Sequence, residues 1–208
     1  MAKQKAAEKA AVQILTSAIP EEEKPRKKPF LENRTLAIFL TVLAILAGTA
    51  FGAHRSVAAQ ARKLEQKFSV GVQYQGYSIQ GDLSDRMEYA SQLVKIAQRY
   101  NIASQDVSEA IRNLDGAGHG HACFAANRDL SDAVEALNRE LVNTSLSTQD
   151  AQYRSEAYRN FVSAGDTISH EAALYNELVY EFNDKTLTAF PTGTLARLTG
   201  VRELEAFE

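Results

Sequence analysis

Residues Thr35–Ala53 read TLAIFLTVLAILAGTAFGA, nineteen positions without one charged side chain. As a helix rising about 1.5 Å per residue the run spans about 28 Å, close to the ~30 Å hydrocarbon thickness of a bilayer. A buried core helix is a poor alternative, because this helix is apolar on every face. A cleavable leader has an apolar core of about 7–15 residues close behind a basic start. Here 34 residues precede a longer run, so the segment reads as an uncleaved signal-anchor. Gly48, Ala50 and Gly52 supply a weak small-residue cleavage pattern, which keeps removal of the segment open.

Lys24, Arg26, Lys27, Lys28 and Arg34 lie upstream of the run; Arg55, Arg62, Lys63 and Lys67 lie downstream. The tight upstream cluster and the short arm favour a single-pass topology in the cytoplasmic (inner) membrane, with the amino terminus inside and the carboxy-terminal domain extracytoplasmic. The expected organisation is a basic cytoplasmic arm over 1–34, a transmembrane helix over 35–53 and a helical body over 54–208. The formal net charge of −3 divides accordingly. The arm holds eight basic and five acidic side chains, net +3, and the rest of the chain fifteen and twenty-one, net −6. The arm suits anionic headgroups, and an acidic body gives no sign of a nucleic-acid partner. With a single Cys there is no internal disulfide and no Cys-based zinc cage.

The 155 residues after Ala53 carry apolar stripes at helical spacing. Val57, Ala61, Leu64 and Phe68 continue the membrane segment without a strong break. Gly71, Gly76 and Gly81 mark an irregular link, and Ser84 is the expected cap of a helix bearing Met87, Ala90, Val94, Ala97 and Tyr100. Further stripes run through Val107, Ala110, Ile111 and Leu114, and through Leu130, Val134, Leu137 and Leu141. The last third reads as one or two helices, through Tyr153, Ala157 and Phe161, then Ile168, Ala172, Tyr175, Val179 and Phe182, ending near Phe190 because Pro191 follows. No period-two pattern bounded by hairpin turns appears, so the fold class is all-α, an antiparallel four-helix bundle behind one transmembrane helix.

Chemistry is sparse. His119 and His121 in Gly-His-Gly-His-Ala-Cys, with Cys123, carry metal-ligating groups, but the spacing is not that of a zinc finger and no fourth ligand is near. They are weak metal candidates beside the plainer reading of a flexible Gly-His loop. There is no Gly-x-Ser-x-Gly, no P-loop and no dinucleotide fingerprint. The expectation is a non-enzyme with no catalytic residues and no cofactor.

The carboxy-terminal stretch from Ala173 is more specific. Tyr175-Asn176 and Phe182-Asn183 stand seven residues apart on nearly one helix face, placing each Asn to bond a neighbouring backbone while its aromatic neighbour packs inward. Phe190-Pro191 follows, then Leu195 and Leu198 in a return segment, Gly200, and Phe207-Glu208. This series resembles the LemA family of bacterial membrane-anchored proteins over about 36 residues, and the plan of arm, membrane helix and helical body agrees with it. The middle departs from the family pattern, with only Gly81–Arg86 and Tyr89–Leu93 standing for its usual second-helix motif. The resemblance implies an antiparallel four-helix bundle outside the cytoplasmic membrane and supplies no catalytic residue. The functional expectation is a membrane-anchored scaffold or interaction protein of the cell envelope. Its expected partners are the lipid bilayer and an envelope or membrane protein, with a homo-oligomer left open. A ligand-sensing or metal-binding helical module is the competing expectation.

Overall fold

The computed structural model describes residues 34–72 and 77–208. The amino-terminal arm with its basic cluster, and Tyr74 and Gly76 of the link, lie outside the described residues. Among the described residues the chain is helical without strands. Its helices are α1 (Arg34–Val70), α2 (Ile79–Arg99), α3 (Gln105–Gly116), α4 (Gly120–Val142), α5 (Thr148–Glu181) and the short α6 (Thr192–Leu198). Two compact units divide within α1, one ending at Ala47 and the other running from Gly48 to Glu208.

α1 is a single helix with two environments written along it. Its first part is long and apolar enough to cross a membrane, and its large side chains from Ile38 to Phe51 are 40–65% exposed. The Thr41 hydroxyl donates to the Ala37 carbonyl at 2.8 Å, so this hydroxyl is satisfied within the helix. From Ala53 onward the helix instead buries a single stripe: Val57, Ala61, Leu64 and Phe68. Gly71 ends it at φ +93°, where an added Cβ would stand 2.0 Å from the Tyr77 carbonyl oxygen, so only glycine fits this turn.

α2 begins six residues earlier than the periodicity suggests. Ser78, not Ser84, is its cap: the backbone is extended and the hydroxyl accepts from the Gly81 N–H at 3.1 Å. Gly81 therefore belongs to the first turn of α2 and not to the link. The far end closes on Asn101 in the left-handed region (φ 56°), with the Ile102 N–H donating to the Ala97 carbonyl and that of Asn101 to Gln98. α4 starts at Gly120, so the Gly-His loop shrinks to residues 117–119 and His121 sits in a helical first turn.

The last third is one helix of 34 residues, capped by Ser147, whose hydroxyl accepts from the Asp150 N–H at 3.1 Å. It ends well before Phe190. A π turn over Phe182–Thr186 widens the helix, with the Leu187 N–H reaching back to the Phe182 carbonyl at 3.0 Å, and both Phe182 and Leu187 become buried. Pro191 follows a cis peptide bond after Phe190 and opens α6 instead of stopping α5. Within α6, Gly193 and Ala196 face inward, Leu195 is half-buried and Leu198 is 79% exposed, so Leu198 does not pack the return segment as expected. The close approach that buries α6 is made by glycine: a Cβ on Gly193 would meet the Thr186 carbonyl oxygen at 2.2 Å. Residues 201–208 carry no regular structure.

The core joins the α1 stripe to Ile79, Leu83, Ala90, Leu93 and Ala97 of α2, Leu130, Val134 and Leu141 of α4, Ala157, Phe161, Ile168 and Val179 of α5, and Phe207 of the tail. α2 and α5 are the most extensively packed pair, and α3 lies against α4 and α2.

Candidate functional site

Asn176 and Asn183 form a matched pair of clamps on the tail. The Asn176 amide donates to the Phe207 carbonyl at 3.0 Å while its Oδ1 accepts from the Phe207 N–H at 2.8 Å. Asn183 treats Leu204 the same way, at 2.9 and 3.0 Å. Each side-chain amide thus replaces one rung of a β-ladder for a segment that has no strand beside it. The spacing is a geometric match. Seven helical residues advance about 10 Å, and three residues of extended chain, Leu204 to Phe207, also span about 10 Å. The larger asparagine number takes the smaller tail number, so the tail runs antiparallel to α5.

The aromatic neighbours point inward. Tyr175 and Phe182 are both 4% exposed. Phe207 seals the end of the core, with ring centroids 5.7 Å from Phe68 and 5.4 Å from Phe124, the latter edge-on at 90°. Phe68 also meets Tyr175 at 5.6 Å and His119 at 4.9 Å. Glu208 holds the extreme tail: its carbonyl oxygen lies 2.5 Å from His121 Nδ1, and its carboxylate bonds the Tyr180 hydroxyl, which holds that phenol above its usual range.

The structure gives the two histidines different partners. His119 meets Phe68 edge-on, and His121 is tied to the tail. Cys123 is buried, and burial pushes its thiol up, away from the thiolate a metal needs. Among the described residues no group of three or more His, Cys, Asp or Glu side chains is placed to hold a metal ion.

A second polar feature escaped the periodicity. Arg86 is 4% exposed and bridges three helices. One guanidinium nitrogen donates to Asn127 Oδ1 and another to Ser131 Oγ at 2.7 Å, both on α4, while the Cζ stands 4.0 Å over the Phe161 ring of α5. Burial pulls its pKa down to about 10, opposed by the nearby Asp166 charge. Arg86 lines an open groove of about 360 Å³ between α4 and α5, together with Arg128, Glu135, Tyr158 and Asp166. Two of its nitrogens are engaged, its Nε is buried without a partner, and acids share the lining. No nucleophile and base pair meet there.

One turn earlier Asp82 is also buried, and its Oδ2 has no hydrogen-bond partner. Burial, then the charges of Asp85 and Glu171, lift its carboxyl above the usual range. Glu171 on α5 accepts from the Val72 N–H at 3.3 Å, pinning the chain just after α1. A legible signal for both existed: the buried positions 79, 83, 86, 90, 93 and 97 follow helical steps, and Asp82 and Arg86 sit on or beside that stripe. The expected stripe is buried at Ala90, Val94 and Ala97, while Met87 and Tyr100 at its ends are half-buried.

No protein-family model, curated protein or solved structure matches this chain.

Proposed function

We propose that the chain is a membrane-anchored, non-enzymatic scaffold or interaction protein of the bacterial cell envelope, a divergent LemA-like protein whose helical body is a four-helix bundle presented outside the cytoplasmic membrane. The observation that carries this reading is α1. One unbroken helix exposes large apolar side chains on all sides from Ile38 to Phe51 and then, from Ala53, buries only a stripe. Water strongly disfavours the first pattern over such a length, and lipid accepts it. The four helices longer than twenty residues (α1, α2, α4 and α5) and the Asn176 and Asn183 clamps support the LemA-like part of the reading.

The function is tested by crosslinking in intact membranes followed by pull-down. Recovery of a discrete envelope protein supports the scaffold. Failure to recover one, together with binding of a small ligand by the purified full chain, overturns it in favour of a sensing module working through the groove. Protease added outside spheroplasts tests the topology, since it digests an extracytoplasmic body and spares one that faces inward.

A further inference from the structure

Among the described residues of the second compact unit, Phe190 and Leu198 are the most exposed large apolar side chains, at 87% and 79%. Scattered exposed apolar residues are ordinary on any protein. What distinguishes this pair is its height along α1. Phe68 meets Tyr175, and beyond that contact α1 read backwards and α5 read forwards line one cleft. Leu64 and Gln60 share a surface cleft with Leu178, Phe182 and Thr186. At the end of that descent the Thr199 hydroxyl lies 3.1 Å from His54 Nδ1. His54 is the first residue past the apolar run, and Gly48–Ala53, the end of that run, belong to the same compact unit as α6. The lengths agree: Phe68 to His54 is about 21 Å of helix, and Tyr175 to Thr186 covers about 16 Å before α6 begins. α6 therefore lies level with the place where the apolar run stops. The polar layer of a bilayer adds only about 5–7 Å beyond the hydrocarbon on each side.

The orientation of α6 completes the arrangement. Gly193 and Ala196 face the core, and Leu198, two residues past Ala196, is turned away from it. Arg197, next to Leu198 in the chain, is exposed and bonded to Glu203 at 3.3 Å, and Arg202 and Arg55, the latter next to His54, are exposed as well. Apolar tips beside arginines whose stems can lie along lipid make a pattern suited to the boundary between acyl chains and headgroups.

We propose that Phe190 and Leu198 enter the interfacial layer of the leaflet from which α1 emerges, so that α6 is a second, peripheral contact with the bilayer. The proposal rests on the anchor reading of α1. The occupant is lipid, because Thr199, the residue after Leu198, meets His54, the first residue past the apolar run.

The chain contains no Trp, so single Trp substitutions report their own surroundings. The full-length protein is reconstituted into phosphatidylcholine vesicles with bromine placed either near the headgroup end or deep in the acyl chains. Phe190→Trp and Leu198→Trp are expected to show blue-shifted emission, quenched more by shallow bromine than by deep. Leu43→Trp, within the anchor, is expected to be quenched more by deep bromine. Tyr153→Trp, about 33 Å along α5 from Tyr175, is expected to remain water-like and unquenched. If Leu43→Trp is quenched while Phe190→Trp and Leu198→Trp are not, the proposal is overturned and the anchor stands. Blue-shifted but unquenched emission at the two positions also overturns it, since protein would then cover them. Quenching of Tyr153→Trp equal to theirs overturns it as well, because the body would lie on the lipid as a whole. If Leu43→Trp itself is unquenched, the anchor reading fails and takes this one with it.

Discussion

Asn176 and Asn183 each use both ends of one side-chain amide, so replacing either removes two hydrogen bonds and strands two backbone groups of the tail. Asn176→Ala is expected to cost about 1–3 kcal/mol, read as a lower urea midpoint of the full chain in micelles, with faster amide exchange at Phe207. An unchanged exchange rate at Phe207 would show that Asn176 does not hold the tail. Asp82 behaves differently, because its environment opposes its charge. Burial raises its folded pKa above the unfolded value, so the stability contributed by protonation is complete below the ordinary carboxylate value of 3.8 and is lost as pH rises through the raised one. Above the raised pKa the folded protein bears the cost of burying this carboxyl, which Asp82→Asn avoids. The variant should therefore unfold at higher urea than the parent at neutral pH, and its advantage should shrink as the pH falls toward 3.8. A pH-independent difference would remove the carboxyl from the explanation.

At the scale of elements, the helical stripes were legible because burial on one face imposes a period of 3.6 on residue choice. Val57, Ala61, Leu64 and Phe68 are buried as their spacing implies, and so are Leu130, Val134, Leu137 and Leu141. The helix ends were less legible. Gly81 reads as punctuation, yet the Ser78 hydroxyl three residues before it supplies the cap and carries the glycine into the helix. Pro191 reads as a stop, yet the π turn at Phe182 had already ended α5. In both cases a tertiary demand, burying Ile79 or burying Leu187, outweighed a local preference. α6 is seated by the absence of a side chain. Gly193→Ala would drive a methyl group to 2.2 Å from the Thr186 carbonyl. The expected cost is about 1–3 kcal/mol, concentrated in α6. Hydrogen exchange should show residues 192–201 loosened while α2 and α4 keep their protection; uniform loss across the body would contradict that assignment.

For the whole molecule, the deciding quantity is the solvent around α1. Leu43→Arg with Leu46→Arg adds two charges near the middle of the apolar run, at an insertion cost of about 6 kcal/mol or more. The double variant should leave the carbonate-resistant membrane fraction, whereas the parent should remain in it. Retention of the variant would mean that something other than this helix holds the chain to the membrane. The tail shows where sequence reading stopped. The seven-residue spacing of the asparagines was visible, but their partners are backbone groups of an extended octapeptide, which leaves no periodic trace in side-chain identity.

The clamp also has a consequence for the order of assembly. Phe207 meets Phe68 across 139 residues of chain. Helices form locally and fast, whereas so distant a contact waits for loop closure and for residues 201–208 to be made. The body remains an unsealed intermediate until then, with Asn176, Asn183 and the rim of Phe68 and Phe124 open as a slot of fixed length. Any extended segment with the same rung spacing fits that slot, including the tail of a neighbouring nascent copy. The same two asparagines that close the monomer are therefore the site at which two chains can exchange ends.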